Sequence, residues 1–367
     1  MARVFGLDLL RAIAVLMVLS SHALFFVRPL FPAIQALSLF GYLGVELFFV
    51  LSGFLVGGIA IRSFGAQPGT ADLFGFWVRR WFRTLPNYYL FLGVNLAMAA
   101  PAGPGGVAPY LVFLQNLAWT TPRFFPESWS LAVEEWFYLL FPLLVVAVAR
   151  AGASRRAALA ISLAVLFLGS TGAREWAVAT GDPSWDEGVR KIVIYRLDAL
   201  MVGVVAAFLK EYHRSSWRRY RDAGVAIGTL LAGSVCWLYY TLDRNGSDFA
   251  RTGFFTLTSL SVFCFLPALD DWQDAGGGAA RAVRKISLWS YSLYLCHLPV
   301  RNLLIRTFGD PELVLPAPSH RFALSMTLGF VALSIAASAL VYHFFERPTM
   351  ALRERLASPR ERPSPAS

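Results

Sequence analysis

The chain has 367 residues, of which 56% are hydrophobic and only 15% charged, and its mean hydropathy is +0.54. This composition excludes an ordinary soluble domain and indicates a protein that crosses a membrane several times. The net charge of +10 does not indicate a nucleic-acid partner, because the basic residues lie in short segments between apolar runs.

The apolar runs predict an all-α, polytopic membrane protein with about ten transmembrane helices. Each run has roughly 17 to 25 residues, the length that a bilayer requires. In chain order, the predicted spans are 7–27, 38–61, 84–100, 129–149, 157–177, 192–209, 222–242, 251–269, 286–306 and 321–345.

The connecting segments alternate in charge, and those rich in Arg are expected in the cytoplasm, together with both termini. Residues 101–128 contain PAGPGG and cannot cross the membrane without breaking this alternation, so they are predicted to form an outer loop. The sequence does not determine whether this loop re-enters the membrane. Residues 1–350 are expected to form one integral-membrane domain. The Pro- and Ser-rich residues 351–367 are expected to be a disordered cytoplasmic tail.

Two polar residues, Arg11 and His22, lie within the first apolar run. In a helix their spacing separates them by roughly 16 Å along the axis and about 20° around it, so they share a face. Polar groups at membrane depth are costly and usually functional. The pair therefore predicts a site that reaches across the bilayer.

The topology sorts the remaining polar residues into two layers. An outer layer of carboxylates, one imidazole and one guanidinium is expected to contain His22, Glu46, Glu134, Glu135, Arg196 and Asp198. A cationic inner layer is expected to contain Arg11, Arg79, Arg80 and Arg83.

Several of these residues also have structural interpretations. Arg196 and Asp198 are too close in sequence to share a helix face, so each is expected to have a different partner. The Arg cluster could serve only as a cytoplasmic anchor, and His297 only as a hydrogen-bonded packing residue. The cysteines lie in apolar runs without metal-site spacing, so no metal and no bound cofactor are expected.

Seven segments carry a family resemblance: GLDLLRAIAVLMVLSSH, GYLGVELFFVLSGFLVG, FWVRRWFRTLPNYY, ESWSLAVEEWFYLLFPLL, YRLDALMVG, YSLYLCHLPV and FFERP. In this order they resemble the acyltransferase 3 family of bacterial integral-membrane O-acyltransferases, over about residues 5–350. The family's paired Arg and His correspond to Arg11 and His22. Its Arg-x-x-Arg loop motif corresponds to Arg80 and Arg83, and its Ser-x-x-x-Glu motif corresponds to Ser130 and Glu134.

The resemblance implies transfer of an acyl group, commonly acetyl, from acyl-CoA to a hydroxyl of a cell-surface glycan or another sugar-bearing acceptor. It also implies a multi-pass protein of the bacterial cytoplasmic (inner) membrane, with the lipid bilayer as a partner. The second-span motif more often has Asp where this chain has Glu46, a change that keeps the carboxylate.

The residue types fit this chemistry. Arg donates paired hydrogen bonds to phosphate oxygens, so Arg80 and Arg83 are candidates to bind the donor. Neutral imidazole is a suitable base for a hydroxyl, so His22 is the candidate catalytic base. A carboxylate, first Glu134 and then Glu46, is expected to orient it. Further substrate-binding candidates are Arg11, Ser130, Arg196 and Asp198.

No serine lies in a recognisable nucleophile elbow, so direct transfer is favoured over an acyl-enzyme. The principal alternative is a secondary transporter with a charged pathway in the membrane, which would usually show inverted repeats. A lipid-linked glycosyltransferase would not need an inner Arg cluster suited to CoA. The acceptor is not determined by the sequence.

Overall fold

The computed structural model describes residues 3–65, 67–99, 105–309 and 319–357, and within these ranges the chain is helical without β-strands. Its α-helices are α1 Phe5–Ala23, α2 Leu39–Ser63, α3 Thr70–Met98, α4 Ala108–Leu111, α5 Ser128–Arg150, α6 Arg155–Thr180, α7 Leu197–Tyr212, α8 Arg214–Arg219, α9 Arg221–Thr241, α10 Asp248–Arg251, α11 Gly253–Asp271, α12 Gly277–Phe308, α13 His320–Val341 and α14 Arg347–Ala357. Shorter elements are the 3-10 helices Leu24–Phe26, Pro32–Ser38 and Val193–Tyr195, and the π-helices Trp185–Arg190 and Tyr342–Glu346.

Seven helices of the described ranges are long and apolar enough to cross a membrane, and they contain α1, α2, α5, α6, α9, α11 and α13. Three further long helices are α7, which has 16 residues, and α3 and α12, which carry several basic residues. Each of these ten helices overlaps one of the predicted spans. The expected all-α, polytopic membrane architecture is confirmed.

Helices α3 and α12 begin well before the predicted spans 84–100 and 286–306. Near the start of α3, the carboxylate of Asp72 accepts a hydrogen bond from the backbone N–H of Gly69 at 3.0 Å. Helix α12 has 32 residues and is about 48 Å long, so its basic first turns extend beyond a hydrocarbon core of about 30 Å. Arg80 and Arg83 are therefore on helix α3, and their expected placement in a loop is wrong.

Helices α2 and α7 pack with their backbones in contact. A Cβ at Gly53 would lie 2.0 Å from the carbonyl oxygen of Leu200, and a Cβ at Gly203 would lie 2.1 Å from that of Val50. No side chain fits at these distances, so the two glycines permit the close approach that small residues give to helix pairs in membranes. This contact fixes how the polar side chains of the two helices face each other.

Residues 105–127 fold against the start of α5. Gln115 and Asn116 in this segment are fully buried. The amide of Asn116 donates hydrogen bonds to the backbone oxygens of Trp129 at 3.1 Å and Lys191 at 2.6 Å. Irregular backbone is stable at membrane depth where protein buries it. Residues 101–104 of the predicted outer loop lie outside the described residues.

The C-terminal π-helix is attached to the bundle through Glu346. This residue is 2% exposed, and its carboxylate accepts hydrogen bonds from Asn87 of α3 at 2.9 Å and Ser292 of α12 at 2.6 Å. Residues 351–357 of the expected tail belong to α14, whereas 358–367 lie outside the described residues.

Candidate active site

The helices enclose two cavities that share part of one wall. The arginine cavity, of about 430 Å³, is defined by Arg11, Arg80, Arg83, Ser130, Glu134 and Tyr138. The histidine cavity, of about 620 Å³, is defined by His22, Glu127, Trp129, Trp185, Arg190 and His297. Val45 of α2 and Tyr294 of α12 line both cavities and therefore form the shared wall.

The cations of the arginine cavity come from three helices, with Arg11 on α1, Arg62 on α2, and Arg79, Arg80 and Arg83 on α3. Arg80 and Arg83 are three residues apart on α3 and share a face, and Arg11 of α1 joins them in the cavity. The guanidinium of Arg80 lies 4.6 Å from the ring centroid of Tyr138 and donates a hydrogen bond to its hydroxyl at 3.2 Å. The predicted grouping of Arg11, Arg79, Arg80 and Arg83 is present, and their guanidinium forks suit a phosphorylated ligand.

Helix α5 supplies a polar face to the arginine cavity. Ser130, Glu134 and Tyr138 are four residues apart and lie on the same side of this helix. The Tyr138 hydroxyl donates to Glu134 Oε2 at 2.7 Å and lies 2.8 Å from Ser52 Oγ. At the other end of the face, Ser130 Oγ lies 2.6 Å from the hydroxyl of Tyr294. The face therefore runs from the arginines to the shared wall.

His22 of α1 and His297 of α12 form a hydrogen-bonded pair in the histidine cavity. His22 Nδ1 lies 3.2 Å from His297 Nε2 and 2.9 Å from the backbone oxygen of Val18. His297 is 1% exposed, and its Nδ1 lies 2.7 Å from the backbone oxygen of Tyr294. His297 is hydrogen-bonded, as its packing interpretation requires, but it also contacts the candidate catalytic imidazole.

Glu127, directly before α5, places a carboxylate at the histidine cavity. Glu127 is 4% exposed, and both of its carboxylate oxygens are buried without a hydrogen-bond partner among the described residues. Burial of an unpartnered carboxylate is costly. A proton or a hydrogen-bond donor from a ligand is therefore expected to satisfy it.

Aromatic rings and charged side chains surround the rest of the histidine cavity. The Arg190 guanidinium lies 4.9 Å from the ring centroid of Trp129 and 5.7 Å from that of Trp185. Burial raises the pKa of Asp186, but the charges of Arg190 and Lys191 outweigh it and lower this pKa to about 2. Apolar faces beside fixed polar groups suit a ligand with both kinds of surface, such as a sugar.

Glu46, Arg196 and Asp198 lie in a buried ionic network. Arg196 Nη2 is 2.8 Å and 2.7 Å from the two carboxylate oxygens of Glu46, and Arg174 Nη1 donates to Asp198 at 2.9 Å. These side chains are at most 1% exposed, and within the described ranges none of them lines either cavity. The predicted position of Glu46 beside His22 is wrong, because a buried guanidinium holds this carboxylate as its counter-ion.

The predicted position of Glu134 beside His22 is also wrong. Glu134 lines the arginine cavity, where it accepts the hydrogen bond from Tyr138. It lies one turn further from the shared wall than Ser130, which already contacts Tyr294. The partner of His22 is therefore a second imidazole and not a carboxylate.

Sequence reasoning missed Arg174, Glu127 and the role of His297 as a contact of His22. Arg174 could have been found as a lone Arg inside the predicted span 157–177, where a charge is costly. The burial of Glu127 depends on how residues 105–127 fold. The contact between the histidines joins positions 275 residues apart, which no local spacing rule detects.

The acyltransferase 3 family model, described as an acyltransferase domain, matches residues 4–343. YrhL of Bacillus subtilis (strain 168), named as a candidate peptidoglycan O-acetyltransferase, is 28% identical over 379 residues, which cover 94% of this chain and 54% of YrhL. Peptidoglycan O-acetyltransferase OatA of Listeria monocytogenes is 25% identical over 386 residues, which cover 94% of this chain and 55% of OatA. The chain thus spans about half the length of these curated relatives. No solved structure matches it.

Proposed function

Because the chain belongs to the acyltransferase 3 family and is a membrane O-acyltransferase, we propose that it transfers an acetyl group from acetyl-CoA to a hydroxyl of a cell-surface glycan. The observation that carries this proposal is the pair of cavities that meet at Tyr294, with arginines in one and imidazoles in the other. A phosphorylated donor and a hydroxyl-bearing acceptor can then approach one wall from opposite sides. The names of the relatives support a glycan acceptor.

The donor is proposed to occupy the arginine cavity. Arg11, Arg80 and Arg83 would bind the phosphates of CoA through their guanidinium forks. The thin pantetheine arm would follow the polar face of α5 and bring the thioester to Ser130 and Tyr294. The helical distance from Arg11 to the turn of His22, roughly 16 Å, is compatible with such an extended arm.

The acceptor is proposed to occupy the histidine cavity. His22 would take the proton of the acceptor hydroxyl as this oxygen attacks the thioester carbon, and CoA would leave as the thiol. The reaction is written as direct transfer, without an acyl-enzyme. The aromatic rings of Trp129 and Trp185 supply apolar faces for a sugar ring.

The protein is proposed to lie in the bacterial cytoplasmic membrane, with the arginine cavity and both termini on the cytoplasmic side. The basic connecting segments support this orientation. Acyl-CoA is a cytoplasmic metabolite, so the donor side and the basic side agree. The reaction then delivers an acyl group to the outer face of the membrane.

A purified-protein assay tests the proposal. Detergent-solubilised protein is given radiolabelled acetyl-CoA and soluble peptidoglycan fragments, and both labelled glycan and free CoA thiol are measured. We expect both products from wild type and a loss of about 10² to 10⁴ in rate for His22→Ala, since a positioned base contributes that much. A secondary transporter would consume no thioester, and absence of both products from folded wild type would contradict the proposal.

The donor end has its own test. The double variant Arg80→Lys/Arg83→Lys keeps the charge but loses the guanidinium forks, so we expect the KM for acetyl-CoA to rise roughly 10-fold. Arg218→Lys/Arg219→Lys, at two exposed arginines outside both cavities, is the matched control and should leave this KM unchanged. Equal KM values for both double variants would assign the α3 cluster to membrane anchoring alone.

A further inference from the structure

The hydrogen-bond partners of the two imidazoles determine which nitrogens carry protons. A carbonyl oxygen only accepts, so His297 Nδ1, 2.7 Å from the oxygen of Tyr294, must be the N–H of that ring. A neutral imidazole has one N–H, and His297 Nε2 is therefore an acceptor. His22 Nδ1 faces this acceptor at 3.2 Å and the oxygen of Val18 at 2.9 Å. Because both neighbours accept, His22 Nδ1 carries its proton.

We propose that His297 is a positioning residue that holds His22 in its Nδ1–H tautomer and directs the unprotonated Nε2 to the acceptor hydroxyl. This inference rests on the proposed function, in which His22 is the base. His22 lines the histidine cavity and is partly exposed, and its Nε2 makes no hydrogen bond within the described ranges. The lone pair that a base requires is thus available on the cavity side of the pair.

The transfer step balances with this assignment. The acceptor oxygen forms a bond to the acyl carbon, the thioester C–S bond breaks, and the hydroxyl proton passes to His22 Nε2. The imidazolium that results donates its Nδ1–H to His297 Nε2, and the Nε2 proton then goes to the departing thiolate. His297 therefore orients the imidazole of His22, as a carboxylate orients the histidine of a Ser-His-Asp triad, but it supplies no negative charge to the imidazolium.

The surrounding charges support a histidine in this role. Within the described residues, the carboxylates of Glu46 and Glu134 are bonded to Arg196 and Tyr138, and neither imidazole has a carboxylate partner. His297 is itself held by the backbone of its own helix, which fixes the plane of its ring. A partner held in this way can orient His22 without a charge of its own.

Two substitutions at one position separate positioning from packing. His297→Met fills similar volume but removes the acceptor, so we expect kcat to fall roughly 10- to 100-fold while the KM for acetyl-CoA stays unchanged, because the donor lies in the other cavity. His297→Gln offers an amide oxygen to His22 Nδ1 and should recover a substantial part of kcat. Unchanged kcat in folded His297→Met, or equal losses in both variants, would overturn the inference.

A spectroscopic measurement keeps the test decisive if His297→Met does not fold. In wild-type protein with ¹⁵N-labelled histidine, the signal that is lost in His22→Ala reports the tautomer of His22. We expect Nδ1 protonated and Nε2 unprotonated at neutral pH, together with a scalar coupling across the hydrogen bond between His22 Nδ1 and His297 Nε2. The reverse tautomer would overturn the inference, and so would an Nδ1–H that bonds only to the oxygen of Val18 and shows no such coupling. If wild type transfers no acetyl group, the proposed function fails instead, whereas an active wild type with an inactive His22→Ala isolates the question of His297.

Discussion

The hydroxyl of Tyr138 links two charged residues of the arginine cavity, since it donates to Glu134 and accepts from Arg80. Glu134→Gln keeps an oxygen that accepts from Tyr138, so we expect acyl transfer within a few-fold of wild type. Glu134→Leu removes the acceptor and should raise the KM for acetyl-CoA roughly 10-fold, because the Tyr138 hydroxyl that accepts from Arg80 is no longer held in place. Steady-state kinetics on both variants measures this, and complete loss of activity in Glu134→Gln would show that the negative charge itself takes part in the chemistry.

Two buried glutamates differ in their partners and should differ in their contribution to stability. Glu46→Gln removes the carboxylate that accepts both hydrogen bonds of Arg196 Nη2 and leaves only Asp198, 3.8 Å from Arg196 Nε, opposite this guanidinium. Removing one partner of a buried pair costs about 3–5 kcal/mol, and we expect a loss near the lower end of this range. Glu127→Gln removes a carboxylate that makes no hydrogen bond within the described residues, so the loss of its desolvation cost should leave stability unchanged or slightly higher. Thermal unfolding in detergent measures both, and a similar fall in Tm for the two variants would contradict this account.

The positions of polar residues in apolar runs predicted which layer each side chain belongs to, but not which of these side chains are in contact. Arg11, Arg80 and Arg83 were expected together and are together. Glu46 was expected beside His22, and it is bonded to Arg196, 150 positions away. Depth along a predicted span gives one coordinate of a side chain, whereas its partner depends on the rotation and contacts of the whole helix.

At the scale of elements, the contact between α2 and α7 depends on two glycines. Gly203→Ala would place a Cβ 2.1 Å from a backbone oxygen of α2, so the helices must separate and Tm should fall. The control is Gly233→Ala on α9, where a Cβ meets nothing within 4 Å. There Ala should leave stability unchanged or raise it by up to about 1 kcal/mol, because Gly is the poorer helix former. Equal Tm values for the two variants would mean that the helices adjust without cost.

Helix positions were predictable because a bilayer requires long apolar runs, and the described helices follow those runs. Helix ends were less predictable than helix positions. The charge of this segment predicted a basic loop at Arg79, Arg80 and Arg83. Arg is a good helix former, however, and α3 continues through all three residues. Irregular segments such as 105–127 were not predictable, because their conformation is set by buried amides that bond to distant backbone.

For the whole molecule, the alternation of charge along the chain predicts on which side of the membrane each connecting segment lies. Ser215 and Thr241 lie near opposite ends of α9. Each is replaced by Cys in a protein without its native cysteines. We expect Ser215→Cys to be labelled only from the cytoplasm and Thr241→Cys only from outside. Labelling of intact cells and of inverted vesicles with an impermeant maleimide measures this. Labelling of both from one side would contradict a membrane-spanning α9.

The shared wall of Val45 and Tyr294 separates the two cavities, and this separation bears on whether protons leak through the protein. Two cavities that share one wall inside an energised membrane would conduct protons if water passed between them, and each charge that crosses dissipates about 2.3 kcal/mol per 100 mV. We expect Tyr294→Ala to make proteoliposomes leak protons after a potassium diffusion potential is applied, measured with an internal pH-sensitive dye. Tyr294→Phe keeps the ring and should stay tight, and an equally tight Tyr294→Ala would place the seal elsewhere. By keeping the two cavities apart, the ring of Tyr294 would supply the electrical insulation that the proposed transfer of an acyl group across the membrane requires.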